Sequence, residues 1–556
     1  MIAFLLVCVF VFFISLFSGA FVADVIKWRI SRFDEFYLGF VLTNSFFTLI
    51  SLFFPVSFLA SIIFFILIVT FCFFKLNWTI TYVTDIYNAI KNQIFKYPVF
   101  SIILSVFIVI AFSVSLYTPM MHRDAGLYHI QAIKWITEYP VIPGLANLHV
   151  RFGFNNNIFT FFAATTWETV LGQPIYCLNF IFVAVFIFYL FTRINISIDQ
   201  RKYMHAVGHI IILIFIYDFC FKWLSTTSPD ILALVGFVYI FLRANCIENN
   251  NDIGKLVIIF SLYLITVKLS VLPVLILAVY TFFINKYFKL KREHLVLHLL
   301  PFLIVVPWLI RNIVQTGWLV FPFPFLDLFS FKWKVPVANV IATKNDITGY
   351  ARIPGNVFDA TSMTFGESIP VWLKNQSIFY IVFLFISVLL ACVFLILTLL
   401  KKINSNRYFT VSIISGLIGV VYWFLTAPDF RFGLPFMLIL FVLPLLMIKV
   451  DFHINRIIFV IIFSTFLCYF IKTNWFHPWH FLKNVSKYYF LPYKMEQSEN
   501  GKLVEYNYFL IDGKIKCLYP INTDLCFDKS LPCSSRLIKN LHLRGSELSD
   551  GFYVLP

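Results

Sequence analysis

The 556-residue chain is 60% hydrophobic and 20% aromatic, and only 13% of its residues are charged. Soluble globular chains carry about 25% charged residues, so this composition excludes a soluble domain and predicts an all-α polytopic membrane protein. The formal net charge of +16 does not mark a nucleic-acid binder, because the basic residues are spread over short inter-helix loops instead of being gathered on one face.

Runs that are apolar enough to span a bilayer, about 17–25 residues each, or somewhat shorter inside a bundle, are predicted at 2–23, 36–54, 56–74, 98–118, 174–192, 205–224, 229–245, 256–268, 270–285, 295–312, 376–400, 408–426, 432–448 and 457–472. The first has no basic n-region and is followed directly by further apolar runs, so it reads as a retained helix and not a cleaved signal. The pair at 256–268 and 270–285 is short and broken near Lys268 and Pro273, and one long tilted helix is the alternative there.

One set of alternate loops is rich in Lys and Arg: Lys27, Arg29 and Arg32; Lys75, Lys91 and Lys96; Arg193, Arg201 and Lys202; Arg243 and Lys255; Lys286, Lys289, Lys291 and Arg292; Lys401, Lys402 and Arg407; Lys449 and Arg456. The opposite short loops hold few. The positive-inside bias therefore predicts that the first set is cytoplasmic. The outer loops at 119–157 and 313–375, the tail and both termini are then extracytoplasmic. The chain divides into N-terminal additional transmembrane helices (1–97), a transmembrane core (98–472) and an extracytoplasmic tail (473–556) that forms a small lobe packed on the membrane domain.

The polar residues of the 119–157 loop form an island: Met120-Met121-His122-Arg123-Asp124-Ala125-Gly126-Leu127-Tyr128-His129, continuing to Arg151 and Asn155. Such groups beside a membrane are costly unless they line water or a site. Asp124 reads as a general base, or as a residue that pairs with Arg123 or caps the helix after it, and both readings can hold together. The apolar spacing of Tyr128–Ile136 predicts a helix along the membrane surface, and Ile158–Val170 is expected to lie likewise.

Further on, Ser228-Pro229-Asp230 opens a helix; capping explains Ser228 but does not require Asp230. Lys268 lies between two apolar runs and is either a snorkelling side chain or a phosphate ligand. Pro307-Trp308-Leu309-Ile310-Arg311-Asn312 ends an apolar helix in two polar groups on the expected outer side, where a basic group could hold a phosphate. Asp429 and Arg431 flank a turn between two spans. Cysteines 8, 72, 177, 220, 246, 392 and 468 sit in or beside apolar runs as packing residues. Cys517, Cys526 and Cys533 cluster in the tail, where an oxidising compartment permits one disulfide, with the pairing left open.

In this order along the chain, Asp124 with Tyr128, Ser228-Pro229-Asp230, Thr266-Val267-Lys268, Pro307-Trp308-Leu309-Ile310-Arg311-Asn312 with Thr316-Gly317, and Phe430-Arg431-Phe432 with Pro435 resemble the GT-C superfamily of polytopic glycosyltransferases. The likeness covers roughly residues 98–450. More closely, Asp124 to Asn155, together with Cys526, Pro532-Cys533, Leu543-Arg544-Gly545 and Gly551-Phe552, is similar to a family of functionally unassigned bacterial membrane proteins.

The GT-C resemblance implies a helical bundle with outer-face interfacial helices in a bacterial inner membrane. It implies transfer of a sugar from a polyprenyl-phosphate donor to a glycan or lipid acceptor, in cell-surface polysaccharide or glycolipid assembly, with inversion at the anomeric carbon. Asp124 would be the catalytic base. Arg123, Tyr128, His129, Arg151, Asn155, Asp230, Lys268, Arg311, Asn312 and Arg431 would bind substrate. Many superfamily members carry two adjacent acids in the first outer loop, whereas Ala125 follows Asp124. No cofactor is therefore expected, and a divalent metal is left open. Two alternatives stay open. A polysaccharide-precursor flippase or transporter would use a central cavity and often an internal repeat, and no repeat is visible. An O-antigen-type polymerase or ligase would share the lipid-phosphate chemistry.

Overall fold

The computed structural model describes residues 1–117, 123–289, 295–354, 362–403, 406–447, 452–474, 489–493, 498–499 and 502–555. The expectations for Met120, Met121, His122, Lys291, Arg292 and Lys449 lie outside the described residues.

The chain begins with α1 (Ile2–Val25), α2 (Arg32–Ile50), α3 (Phe58–Phe74), α4 (Leu76–Lys96) and α5 (Pro98–Tyr117). The island follows as a π-turn (Ala125–His129) running into α6 (Ile130–Glu138), and then α7 (Ile158–Thr165) and α8 (Glu168–Leu171). The bundle continues with α9 (Leu178–Asp199), α10 (Tyr203–Cys220), α11 (Pro229–Ala244), α12 (Asn251–Val267), α13 (Val274–Ile284) and α14 (Leu295–Thr316). After α15 (Val337–Arg352) and α16 (Phe365–Asn375) come α17 (Ile378–Leu399), α18 (Arg407–Thr426), α19 (Phe430–Met447) and α20 (Phe452–Asn474).

Among the described helices nine are long and apolar enough to cross a membrane: α1, α5, α9, α10, α14, α17, α18, α19 and α20. The protein is a multi-pass helical membrane protein. The shorter or more polar helices α2, α3, α11, α12 and α13 run between the same two ends, to which their termini are tied.

At one end the basic loops meet. Lys75 pairs with Asp24 at 2.7 Å, the Arg29 amide donates to Asp252 at 3.0 Å, and Arg407 lies 3.7 Å from Glu248. A capping box of Ser31 and Asp34 starts α2, and Arg243 grips the same Asp34 carboxylate with bonds of 2.8 and 2.7 Å. At the other end lie the island, the α12–α13 break and the tail. There the Val56 amide donates to Ile136 at 2.9 Å, and Ile2 and Ala3 both donate to the tail backbone at 3.0 Å. The two chain ends therefore share the island end of the bundle.

Small residues set the closest helix contact. A Cβ on Gly19 would stand 1.8 Å from the Glu35 carbonyl, and one on Gly39 would stand 1.7 Å from that of Ser15. Only glycine permits α1 and α2 to approach this far, the usual device where burial alone cannot drive helix association in lipid.

Several expectations are corrected. Residues 76–96 form α4, a helix bent 100° from α3, where a loop was expected. Within the stretch Ile158–Val170, Ile158–Thr165 does not lie along a membrane surface: all eight residues of α7 are buried, with the Phe161 ring 4.9 Å from that of Phe40, and only its end is open, with Val170 58% exposed. The Tyr128–Ile136 stretch is likewise enclosed, between α7 and the tail, so its apolar face is covered by protein and not by lipid. The broken pair is two helices, α12 and α13, with Lys268 in extended backbone between them (φ −157°, ψ 126°). The described part of the tail has mainly strands as its regular structure. It forms three two-stranded antiparallel sheets: β1 (Ser498–Glu499) with β2 (Lys502–Leu503), β3 (Tyr506–Ile511) with β4 (Ile515–Pro520), and β5 (Leu541–Leu543) with β6 (Phe552–Val554).

Candidate functional site

Three segments far apart in sequence bring charge together at the island end. Ser228 caps α11 and Pro229 occupies its first position, which sets Asp230 in the first turn, where the helix dipole favours a negative group. The break after α12 leaves Lys268 free to turn its ammonium onto Asp230, with which it forms an ion pair, while the same ammonium stands 3.9 Å from the Phe432 ring centre. Arg431, second in α19, holds Asp429 through Nε and Nη2 at 2.9 and 2.8 Å and approaches the other Asp230 oxygen to 3.9 Å. A recess of about 10 Å³ lies among Asp230, Lys268, Ser270, Arg431, Phe432 and Pro435. That is smaller than the several hundred Å³ typical of a ligand pocket.

The island meets this group from above. Arg151 donates to Asp124 at 3.2 Å, with the two side chains 39% and 30% exposed. The Asp124 charge reaches both Lys268 and Arg431. It also reaches Tyr128, whose phenol is pushed up first by burial and then by that carboxylate. His129 is buried, with Nδ1 3.2 Å from the Thr227 hydroxyl, which ties the island to the loop before α11. Beside Arg151, His149 caps the 150–154 turn by accepting from the Arg151 amide at 3.2 Å. Burial and the neighbouring guanidinium groups hold its imidazole down to about 3.

Arg123, Arg311, Asn155 and Asn312 stand elsewhere. Arg123 pairs with Asp524 of the tail, 401 residues further on. Arg311 is fully buried, donating to Asn155 at 3.1 Å and to Ser51 at 2.7 Å. Among the described residues it has no carboxylate partner. Asn155 is held in left-handed backbone (φ 44°) and exchanges bonds of 3.0 and 2.9 Å with Trp308. Asn312 is buried with neither amide atom partnered among the described residues. Arg311 and Asn155 are linked to the Asp124 cluster through the chain from Arg151 to Asn155.

Sequence reasoning passed over a second polar feature. Asn44 and Thr48 of α2, Asn157 and Thr160 at α7, and Tyr263 and Thr266 of α12 form an enclosed hydrogen-bond chain. Asn44 donates to Tyr263 at 3.1 Å, Thr160 to Asn44 at 2.9 Å, and Asn157 to Thr266 at 3.0 Å. It pins α7 to α12 one turn before Lys268. The available signal was polar residues inside the 36–54 apolar run.

The tail grips the island. The Phe527 amide donates to Gly126 at 2.8 Å, Gln131 donates to the backbone of Phe527 and Lys529 at 3.0 and 2.8 Å, and Lys134 pairs with Asp528 at 3.0 Å. The disulfide joins Cys526 to Cys533, and Cys517 is the buried free thiol. Among the described residues no group of three or more His, Cys, Asp or Glu is arranged to hold a metal ion.

The span set and the charged cluster define a multi-pass helical membrane protein with a polar site at one end. The chain belongs to the family described as Domain of unknown function (DUF8201), which matches residues 1–438 and so includes every charged residue of the cluster but not the tail lobe. No curated protein and no solved structure matches the chain.

Proposed function

We propose that this protein is a GT-C-type membrane glycosyltransferase that moves a sugar from a polyprenyl-phosphate donor to a glycan or lipid acceptor at the extracytoplasmic face of a bacterial inner membrane. The observation that carries the reading is the gathering of Asp124, Arg151, Asp230, Lys268, Asp429 and Arg431, from segments spread over some three hundred residues, at the end away from the basic loops. With those loops cytoplasmic, the cluster faces the exterior. A part-exposed carboxylate in electrostatic reach of half-buried cations is an arrangement that suits base-assisted displacement of a phosphate.

The acceptor hydroxyl oxygen bonds to the anomeric carbon as the bond from that carbon to the phosphate oxygen breaks. Asp124 takes the hydroxyl proton, and the polyprenyl phosphate leaves with the electron pair. Lys268 and Arg431 meet the charge that develops on it. Arg311, enclosed by Ser51 and Asn155, acts as scaffold in this scheme. The recess is too small for a glycosyl unit, so the outer loop moves when substrate binds.

The test is transfer by the purified protein in lipid nanodiscs against a panel of polyprenyl-phosphate sugars. Asp124→Asn keeps an acceptor for Arg151 and is expected to lower turnover by about 10² or more with an unchanged melting temperature. Wild-type turnover in that variant removes Asp124 from the role. Movement of the lipid across the bilayer without glycosyl transfer would place the chain among transporters instead.

A further inference from the structure

The helix α4 has three faces. Trp78, Thr79, Tyr82, Ile86 and Gln93 turn toward the protein, where the Tyr82 hydroxyl donates to Glu35 at 2.7 Å and Arg32 lies 4.0 Å over its ring. Thr81, Asp85, Asn88 and Asn92 form a polar face. Between these runs a third stripe, Leu76, Ile80, Val83, Tyr87, Ile90 and Ile94, spaced four, three, four, three and four residues apart and 41% to 62% exposed. Residues at this spacing share one side of a helix, and among the described residues none covers them.

The position of α4 says what does. One residue separates it from α3 and one from α5, and it is bent 100° from α3. Its ends are staked at the basic-loop end of the bundle, Lys75 to Asp24 at 2.7 Å and Lys96 to Asp199. It is therefore held level with the ends of two helices that enter the bilayer. Phe73 and Phe74 at the end of α3, and Val99 and Ile102 at the start of α5, are 65% to 82% exposed and continue the apolar stripe onto the lipid-facing sides of those helices.

We propose that α4 lies in the plane of the membrane and seats this stripe in the headgroup–acyl boundary of the leaflet at the basic-loop end. Amphipathic helices of this kind bury their apolar side about 5–10 Å into that boundary. A second copy of the chain is the competing occupant, since the spacing also suits a coiled-coil seam. The flanks argue for lipid: Asn77, Thr84 and Lys91 on one side and Thr79, Ile86 and Gln93 on the other carry a single charge between them, too little to set a register between two helices.

Spin labels on the full chain in phosphatidylcholine–phosphatidylglycerol nanodiscs test this, with accessible native cysteines replaced. Labels at Ile80→Cys, Tyr87→Cys and Ile90→Cys are expected to be reached by oxygen and shielded from a water-soluble nickel chelate. Labels at Thr81→Cys, Asn88→Cys and Asn92→Cys should show the reverse, so that accessibility swings with a helical period. Water-like accessibility along the stripe, or strong dipolar broadening between copies, overturns the proposal. On the unmodified chain, a photoactivatable phospholipid should crosslink to the 76–94 stripe and not to the polar face. Crosslinking confined to other segments overturns it as well.

Discussion

At the basic-loop end, Asp34 is wholly enclosed, and its carboxylate receives Arg243 through two bonds, the Tyr239 hydroxyl at 2.6 Å and the Ser31 hydroxyl at 2.7 Å. At the island end, Asp124 meets Arg151 at 3.2 Å with about a third of each side chain open, and the ammonium of Lys268 is shared between Asp230 and the face of Phe432. Both clusters pair acids with bases, yet they do different work. A saturated, sealed pair has met its desolvation cost with hydrogen bonds and serves to fix where helices sit. A part-open group of charges in shared electrostatic reach keeps groups that a substrate can recruit.

The largest test of that contrast is to break the sealed pair. Asp34→Ala leaves Arg243 buried without its acid, and losing one partner of a buried pair costs about 3–5 kcal/mol. Thermal unfolding in detergent should show a sharply lower melting temperature. Asp34→Leu combined with Arg243→Met should recover much of the loss, because an apolar replacement of both partners is often close to neutral. If the single variant melts like wild type, the pair is not sealed and the comparison fails.

One of the tight points at which the tail holds the island end is Gly126. A Cβ on Gly126 would stand 2.7 Å from the Phe527 ring, a separation at which something must shift. Gly126→Leu is therefore expected to cost about 1–3 kcal/mol through overpacking and to loosen the lobe from the island. Faster backbone hydrogen exchange in 506–554, with no change in α2 or α11, is the expected signature. Equal exchange at both ends would mean that the two regions do not respond separately.

The multi-pass architecture was legible because bilayer thickness imposes run lengths that few other constraints mimic. The paired loops were legible too, since Lys75, Arg243 and Lys255 all gather at one end. What escaped was whatever depends on distant partners. Arg123 stands beside Asp124 in sequence but bonds to Asp524 in space. Lys268 read equally as a snorkelling side chain until the break after α12 turned it onto Asp230, 38 residues earlier. Helix α4 was missed for another reason: its apolar stripe has helical spacing, but its Thr, Asn and Lys residues keep it below the hydrophobicity of a span. Arg311 was expected beside Asp124 because both were placed on the outer side. That shared level does not make them neighbours, and Asn155 and Ser51 occupy the guanidinium.

The smallest expected effect separates the two ends by acidity. Folding keeps His149 neutral, with its imidazole held down to about 3 against 6.5 in the unfolded chain. At any pH between these values the unfolded state binds more protons, so stability falls as pH is lowered through that window and is unaffected above it. By pH 5.5, one unit below the unfolded value, the loss from this residue is about 1 kcal/mol. The wild-type melting temperature measured from pH 7.5 to 5.5 should therefore fall more steeply than that of His149→Asn, which keeps an acceptor for the Arg151 amide but has no proton to gain. Asp34→Ala should keep the wild-type slope from a lower starting point, because the change lies at the other end of the bundle. A slope that disappears in Asp34→Ala but persists in His149→Asn would put the acid-sensitive group at the basic-loop end and reverse the contrast between the two regions.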